Sequence, residues 1–150
     1  MATVEQTMMK VQRILTGPMG LKIMLDDDRI RISFNDASTQ LQLRIAEWGT
    51  DPEGQPRSVV VVSAPILREV PPTPELFEWV AREGGSRWFG HVEVHDFDEG
   101  TVHLLFSHTL LGDYLDQPEL ETAMWGVLQV ADHWDDELQQ KFGGKRFSDA

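Results

Sequence analysis

Three histidines and a glutamate are spaced as they would be on one face of a β-hairpin. In the segment His91-Val92-Glu93-Val94-His95, side chains two residues apart point to the same side of a strand, so both histidines and Glu93 share a face. A three-residue turn over 98–100, with glycine at its last position, sets His95 opposite His103. This register leaves the intervening valines on the other, apolar face.

Imidazole and carboxylate groups in this arrangement are ligands that zinc and other divalent ions accept. One hypothesis is therefore a metal-binding protein or metal-dependent enzyme that uses His91, Glu93, His95 and His103. The alternative is a solvated strand face that is rich in histidine, because short motifs often match without forming a site. We favour this second interpretation and predict no metal and no cofactor.

The rest of the sequence carries no signature of an active site. Cysteine is absent, which excludes disulfides, thiolate catalysis and cysteine-based zinc sites. There is no nucleophile elbow and no glycine-rich phosphate loop between a strand and a helix. Adjacent carboxylates point apart on an extended chain, so we interpret the run over 26–28 as a solvated turn. We predict that the protein is not an enzyme.

Composition limits the classes of partner. The 150 residues carry a formal net charge of −12, and this charge repels phosphate backbones and anionic lipid surfaces. We expect neither nucleic acid nor membrane partners. The N-terminal residues lack a signal-peptide pattern, and the longest apolar run, Val59 to Val62, is too short to span a bilayer. The simplest expectation is a cytoplasmic protein.

The tryptophans point to a protein interface. Trp134 lies on the apolar stripe of the last predicted helix, whereas Trp125 lies about 120° away from the centre of that stripe. Trp79 is similarly displaced on the second predicted helix, and Trp88-Phe89 follows that helix. Exposed aromatic anchors are enriched at interfaces. We predict that Trp79, Trp88, Phe89 and Trp125 take part in protein binding or dimerisation; burial within the same chain is the alternative.

Three helices are predicted from capping signals and apolar periodicity. Thr3 and Gln6 have the spacing of a capping box, and the first helix runs to about Leu15. The second begins after Thr73, with proline at its first position, on an expected core face of Leu76, Phe77 and Val80. The third has Asp116 as its N-cap and ends at Gly143-Gly144.

Alternating polar and apolar residues predict strands between the first two helices, around 29–34 and 40–45, joined by a turn over 35–38. Val59 to Val62 is apolar on both sides, which favours a central strand covered on both faces and bent or ended by Pro65. The element order is α-β-β-β-α-β-β-α, an α+β fold with an antiparallel sheet of about five strands. We expect one domain over 1–144 and a loose tail over 145–150.

The last third of the chain resembles a known family. The segments that carry the resemblance are His108-Thr109-Leu110-Leu111-Gly112-Asp113-Tyr114-Leu115, the helix from Pro118 to Gln140 with Ala131-Asp132 midway, and Phe142-Gly143-Gly144. Together with the element order, they are similar to the class I type III secretion chaperones and the YbjN-like group.

This resemblance implies a small, acidic, cytoplasmic and homodimeric protein that holds a client polypeptide or acts as a regulatory adaptor. It also implies a dimer contact made by the second helix and the strand from Gly90 to Asp96. The identity of the client does not follow from the sequence.

Overall fold

The computed structural model describes residues 3–34 and 40–149, so the turn expected over 35–38 lies outside the described residues. Helix α1 spans Val4–Thr16, α2 spans Pro74–Glu83 and α3 spans Gln117–Phe142. The predicted N-caps form: Thr3 makes a complete capping box with Gln6, and the side chains of Thr73 and Asp116 accept bonds from Leu76 N–H and Glu119 N–H. These bonds satisfy amide groups that a helix leaves unpaired at its start.

Six strands form one antiparallel sheet in the order β1-β2-β3-β4-β6-β5. Their bounds are β1 Met24–Asp26, β2 Arg29–Ser33, β3 Gln40–Thr50, β4 Pro56–Val70, β5 His91–Phe97 and β6 Thr101–Leu111. The α+β class is confirmed, with six strands in place of about five. The additional strand, β1, has only three residues, too few for an alternating pattern to mark it. The expected solvated turn at Asp27 and Asp28 joins it to β2.

The helices cover one face of the sheet. Alternate residues of β2, β3, β4 and β6 are buried on that face, and α1 and α3 pack against them. The predicted stripe of α3 is buried throughout: Leu120, Met124, Val127, Leu128, Ala131, Trp134 and Leu138. No described helix covers the opposite face, which we call the open face. Val59 and Val61 are consequently half-buried, and the expectation that β4 is covered on both sides is wrong.

A buried polar contact ties α1 to the sheet. Thr7 and Ser58 are both fully buried, and their hydroxyl oxygens lie 2.6 Å apart. Lys10 extends the contact, because its Nζ donates to the carbonyl oxygen of Gly112 at 2.8 Å. Gly112 is required here, since a Cβ would lie 2.4 Å from the Ser58 hydroxyl oxygen.

Two further expectations need correction. On α2, Leu76 is buried and Trp79 and Val80 are half-buried, whereas Phe77 is 44% exposed. Trp79 thus faces inward, because aromatic rings on α3 fill the space beneath it. Of the two effects expected of Pro65, the strand does not end there, since β4 continues to Val70; its pairing with β6 is irregular directly after Pro65, which agrees with a bend.

Residues 145–149 differ from the loose tail that we expected. Lys145 and Arg68 exchange two backbone hydrogen bonds of 2.8 Å. Asp149 accepts hydrogen bonds from the backbone N–H of Arg146 and from the Gln139 amide, each at 2.9 Å. The two glycines that end α3 turn the chain back onto β4, where these polar contacts hold it.

Candidate functional site

The predicted hairpin register is confirmed. His95 lies opposite His103 and Glu93 lies opposite Leu105, on the open face. The Glu93 carboxylate lies between two histidines, with Oε1 3.3 Å from His91 Nε2 and Oε2 2.9 Å from His95 Nε2. His103 packs edge-on against Phe97, with ring centroids 4.0 Å apart. The geometry therefore joins Glu93 to two of the three histidines.

Neighbouring groups shift the protonation of this cluster. Partial burial raises the pKa of Glu93, but the hydrogen bond from His95 and the charges of His91 and His95 outweigh it, so the pKa lies below its ordinary value. For His103, partial burial lowers the pKa; His95 and Arg68 lower it further, against an opposing contribution from Glu69. His103 therefore favours the neutral form.

The same geometry does not support the metal hypothesis. Within residues 3–34 and 40–149, no group of three or more histidine, aspartate or glutamate side chains is placed to hold a metal ion. The Nε2 atoms of His91 and His95 are directed at Glu93, and the ring of His103 contacts an aromatic neighbour.

The four predicted interface aromatics fall into two pairs. Trp79 makes an edge contact with Trp134, with centroids 5.2 Å apart, and Phe89 lies over Gly126 and contacts Phe106. Both rings are half-buried by the same chain.

The other pair is accessible. Trp88 is fully exposed between α2 and β5, and Trp125 is 42% exposed although it contacts Phe34. An exposed tryptophan places a large apolar surface in water. These two side chains are therefore the aromatic groups of the predicted set that are available to a partner.

Basic side chains collect on the open face of this acidic protein. Directly opposed residues of an antiparallel pair share a face, which places Arg29 beside Arg44, and Arg31 beside Gln42. Arg31 forms an ion pair with Asp26 at 3.0 Å, whereas Arg44 has none within the part of the chain that the structure describes. The open face thus has a different electrostatic character from the chain as a whole.

A shallow depression of about 430 Å³ lies on this face beside the end of β4. Its apolar lining comes from Pro65, Leu67, Leu105 and Phe147 of the tail. Its polar lining is Arg31, Gln42, Arg68, His95 and His103. A peptide side chain fits such a site by placing an apolar group at the centre and hydrogen-bond acceptors at the rim.

Sequence reasoning missed the arginines of the open face and the aromatic residue of the tail. The alternation of Arg29 and Arg31 with buried isoleucines was a usable signal, because it placed both guanidinium groups on one face. Phe147 had no such signal, since its position depends on contacts between the tail and β4. Trp48, exposed near the end of β3, also lay outside the prediction.

Among the residues described, no strand flanks the outer edge of β1 or of β5, although Val92 N–H of β5 donates to the Gly84 carbonyl oxygen at 2.9 Å. Such edges can accept an added strand. Leu25 on β1 and Phe97 on β5 are exposed beside them. No helix in the described ranges is long and apolar enough to cross a membrane.

Comparison with known structures identifies the fold. YbjN from E. coli is similar with a TM-score of 0.63 and 10% sequence identity, over 90% of this chain and 93% of that chain. The ExsC–ExsE complex contains a similar chain with a TM-score of 0.59 and 21% identity, over 85% of this chain and 92% of the other. No curated protein sequence matches significantly.

Comparison with protein families gives a match over almost the whole chain. The model of the TY-Chap1 family, described as type III secretion (YopN, CesT) and YbjN peptide-binding chaperone 1, matches residues 5–150. The resemblance seen in the last third of the sequence is thereby confirmed. The chain belongs to the TY-Chap1 family of type III secretion and YbjN peptide-binding chaperones.

Proposed function

We propose that this protein is a homodimeric, non-catalytic chaperone or adaptor of the cytoplasm that holds an extended segment of a client polypeptide. The observation that carries the proposal is the match of a peptide-binding chaperone family to residues 5–150. The fold supports it, because the outer strand β1 leaves an edge to which an extended peptide can add. The client is a protein, since the net charge of −12 disfavours nucleic acid and anionic membranes.

The dimer contact that we propose consists of α2, the connection after it and β5. Trp88 is fully exposed in that connection, and Phe77 is exposed on α2. Large aromatic side chains at the centre of an interface commonly contribute at least 2 kcal/mol to binding. Trp79 and Phe89 support this surface from beneath through their contacts with α3.

Trp125 belongs to a second surface, on the side of α3 that contacts Phe34. We assign this surface to the client, because it is separate from the proposed dimer contact and contains a tryptophan that its own chain only partly covers. The acidic composition of the protein favours a client that has basic segments outside the part held at this surface.

Dimerisation is tested by the mass in solution. Light scattering coupled to size exclusion should give twice the 17.1 kDa of the chain, and Trp88→Ala should raise the dimer dissociation constant at least tenfold, which is about 1.4 kcal/mol. Trp48→Ala is the matched control, since it removes another exposed tryptophan outside the proposed contact. A dimer equally stable in both variants would remove Trp88 from the interface.

Client binding is tested by affinity capture from the host lysate followed by mass spectrometry. One or a few proteins recovered in amounts comparable to the bait support a chaperone, and their recovery should fall with Trp125→Ala but not with Trp48→Ala. If only the bait is recovered from a lysate that contains its partners at their native levels, the client-holding function is contradicted.

A further inference from the structure

Among residues 3–34 and 40–149, no strand covers one edge of the far end of β4. The pairing of β3 with β4 ends at Gln42 and Ser63, whereas β4 continues to Val70. Over this overhang, 66–70, β6 occupies one edge through Leu67 and Val70. The other edge, among the residues that the structure describes, is met only by the tail. An uncovered edge of this kind is a site at which an extended peptide can add as a strand.

The tail shows how a peptide lies at this edge. Lys145 makes the paired backbone hydrogen bonds with Arg68 that define a short antiparallel bridge. Phe147 then lines the depression on the open face while 45% of its surface remains exposed. The carbonyl oxygen of Asp149 accepts a hydrogen bond from the Arg68 guanidinium. The tail thus combines a backbone pair, an aromatic side chain and an acceptor for arginine.

The rim of the depression favours negative charge. This preference comes from Arg31 and Arg68, which line the depression and stay charged, since His103 favours the neutral form and His95 is bonded to Glu93. The Nε atoms of both arginines are shielded from solvent and have no hydrogen-bond acceptor among residues 3–34 and 40–149. A buried donor without a partner carries a desolvation cost, and a carboxylate oxygen that reaches these atoms after the tail has left would remove it. Lysine or arginine side chains in the same position would meet like charge.

We propose that the β4 overhang and this depression form a docking site for an extended client segment in which an aromatic residue is flanked by acidic residues. In the free protein the C-terminal tail occupies the site and must leave before the segment binds. The inference rests on the proposed client-holding function and adds the chemical class of the segment and a competing element within the chain.

The test uses two labelled eight-residue peptides, each with one central phenylalanine, flanked by aspartates in the first and by lysines in the second. Binding to the full-length chain is measured by fluorescence anisotropy at 0.15 M salt. A tail that occupies the site nine-tenths of the time weakens the apparent affinity about tenfold. We therefore expect the aspartate peptide to bind Phe147→Ala about ten times more tightly than the wild type.

Two variants serve as controls. Trp48→Ala removes an exposed aromatic residue near the opposite end of the sheet, about 30 Å away for a strand of this length, and should bind as the wild type does. Arg68→Gln in the Phe147→Ala background should lose the preference for aspartate over lysine. Circular dichroism detects a change of fold in the arginine variant. If that variant does not fold, the comparison of Phe147→Ala with the wild type still tests whether the tail competes for the site.

Equal binding of the aspartate peptide by wild type and Phe147→Ala would refute the tail as competitor. Equal or tighter binding of the lysine peptide would refute the acidic segment. Either result, obtained while the wild type still captures a client from lysate, leaves the proposed function intact. Loss of client capture itself counts against the proposed function.

Discussion

Replacement of Gly126 by alanine tests how the chain positions Phe89, one of the predicted interface residues. A Cβ at position 126 would lie 2.2 Å from Phe89 Cζ and 3.0 and 3.1 Å from its Cε atoms. Ordinary carbon contacts are about 3.5–4.0 Å, so the ring must move by about 1.5 Å. Since Phe89 also contacts Phe106 and His108, the ring cannot move without disturbing the packing of β6.

Two opposed effects set the change in the free energy of unfolding that Gly126→Ala causes. Overpacking of this kind costs about 1–3 kcal/mol, whereas the change from glycine to alanine inside a helix contributes about 1 kcal/mol of stability. In the wild type we therefore expect a net loss of about 1 kcal/mol. In a Phe89→Leu background, which lacks the Cε and Cζ atoms, the same change should stabilise the protein by up to ~1 kcal/mol.

The assay is urea unfolding of the four proteins of this double-mutant cycle, checked by thermal melts, in which 1 kcal/mol corresponds to about 2–4 °C for a chain of this size. The coupling free energy between positions 89 and 126 should be about 1–3 kcal/mol, with a change of sign between backgrounds. Gly126→Ala effects that agree within ~0.5 kcal/mol in both backgrounds would refute the packing of Phe89 against α3.

Three further predictions concern buried and titrating groups. Thr7→Val should lower the free energy of unfolding, measured in urea, by about 1–3 kcal/mol, because it leaves the buried Ser58 hydroxyl unpaired. Adding Ser58→Ala should restore part of this loss, and no restoration contradicts the contact between Thr7 and Ser58. Burial lowers the pKa of His103 from 6.5, so the unfolded state binds the proton more readily and the stability of the fold falls as the pH drops below about 6.5. The difference between the melting temperatures at pH 7.5 and pH 5.5 should therefore be smaller for His103→Gln than for the wild type, and an equal difference contradicts this role of His103. Hydrogen bonds from the Arg146 side chain, the Arg146 backbone and the Gln139 amide lower the pKa of Asp149 to about 2. Its contribution to stability is therefore present above pH 3.8 and is lost between pH 3.8 and about 2. The NMR signal of the Arg146 amide should shift over that range in the wild type and should not shift in Asp149→Asn.

The parts of the fold that depend on local signals could be predicted from the sequence. Capping residues such as Thr3 and Asp116 accept bonds from amides within the first turn of their own helix, so a few neighbouring residues determine them. The hairpin register followed from the turn length and the two-residue period, which together fix which residues oppose His95 and Glu93. Such features depend on sequence separations of a few residues.

The remaining features depend on contacts between distant segments. Trp79 faces inward because the rings of Trp134 and Phe142 lie beneath it, and no property of α2 alone distinguishes this orientation from one that buries Phe77. The candidate docking site has the same origin, since Phe147 reaches the open face only through the bridge between the tail and Arg68.

The contact between α1 and the loop after β6 has a consequence for synthesis of the chain. Lys10 binds the carbonyl oxygen of Gly112, 102 residues later. At a translation rate of about 5–20 residues per second, the partner of Lys10 emerges roughly 5–20 s after α1 itself. During that interval β3 and β4, against which α1 packs, have already been made, and Lys10 still lacks its acceptor. The polar contact that fixes the end of β6 to α1 therefore forms late in synthesis, after the apolar contacts of α1 with β3 and β4 have become possible.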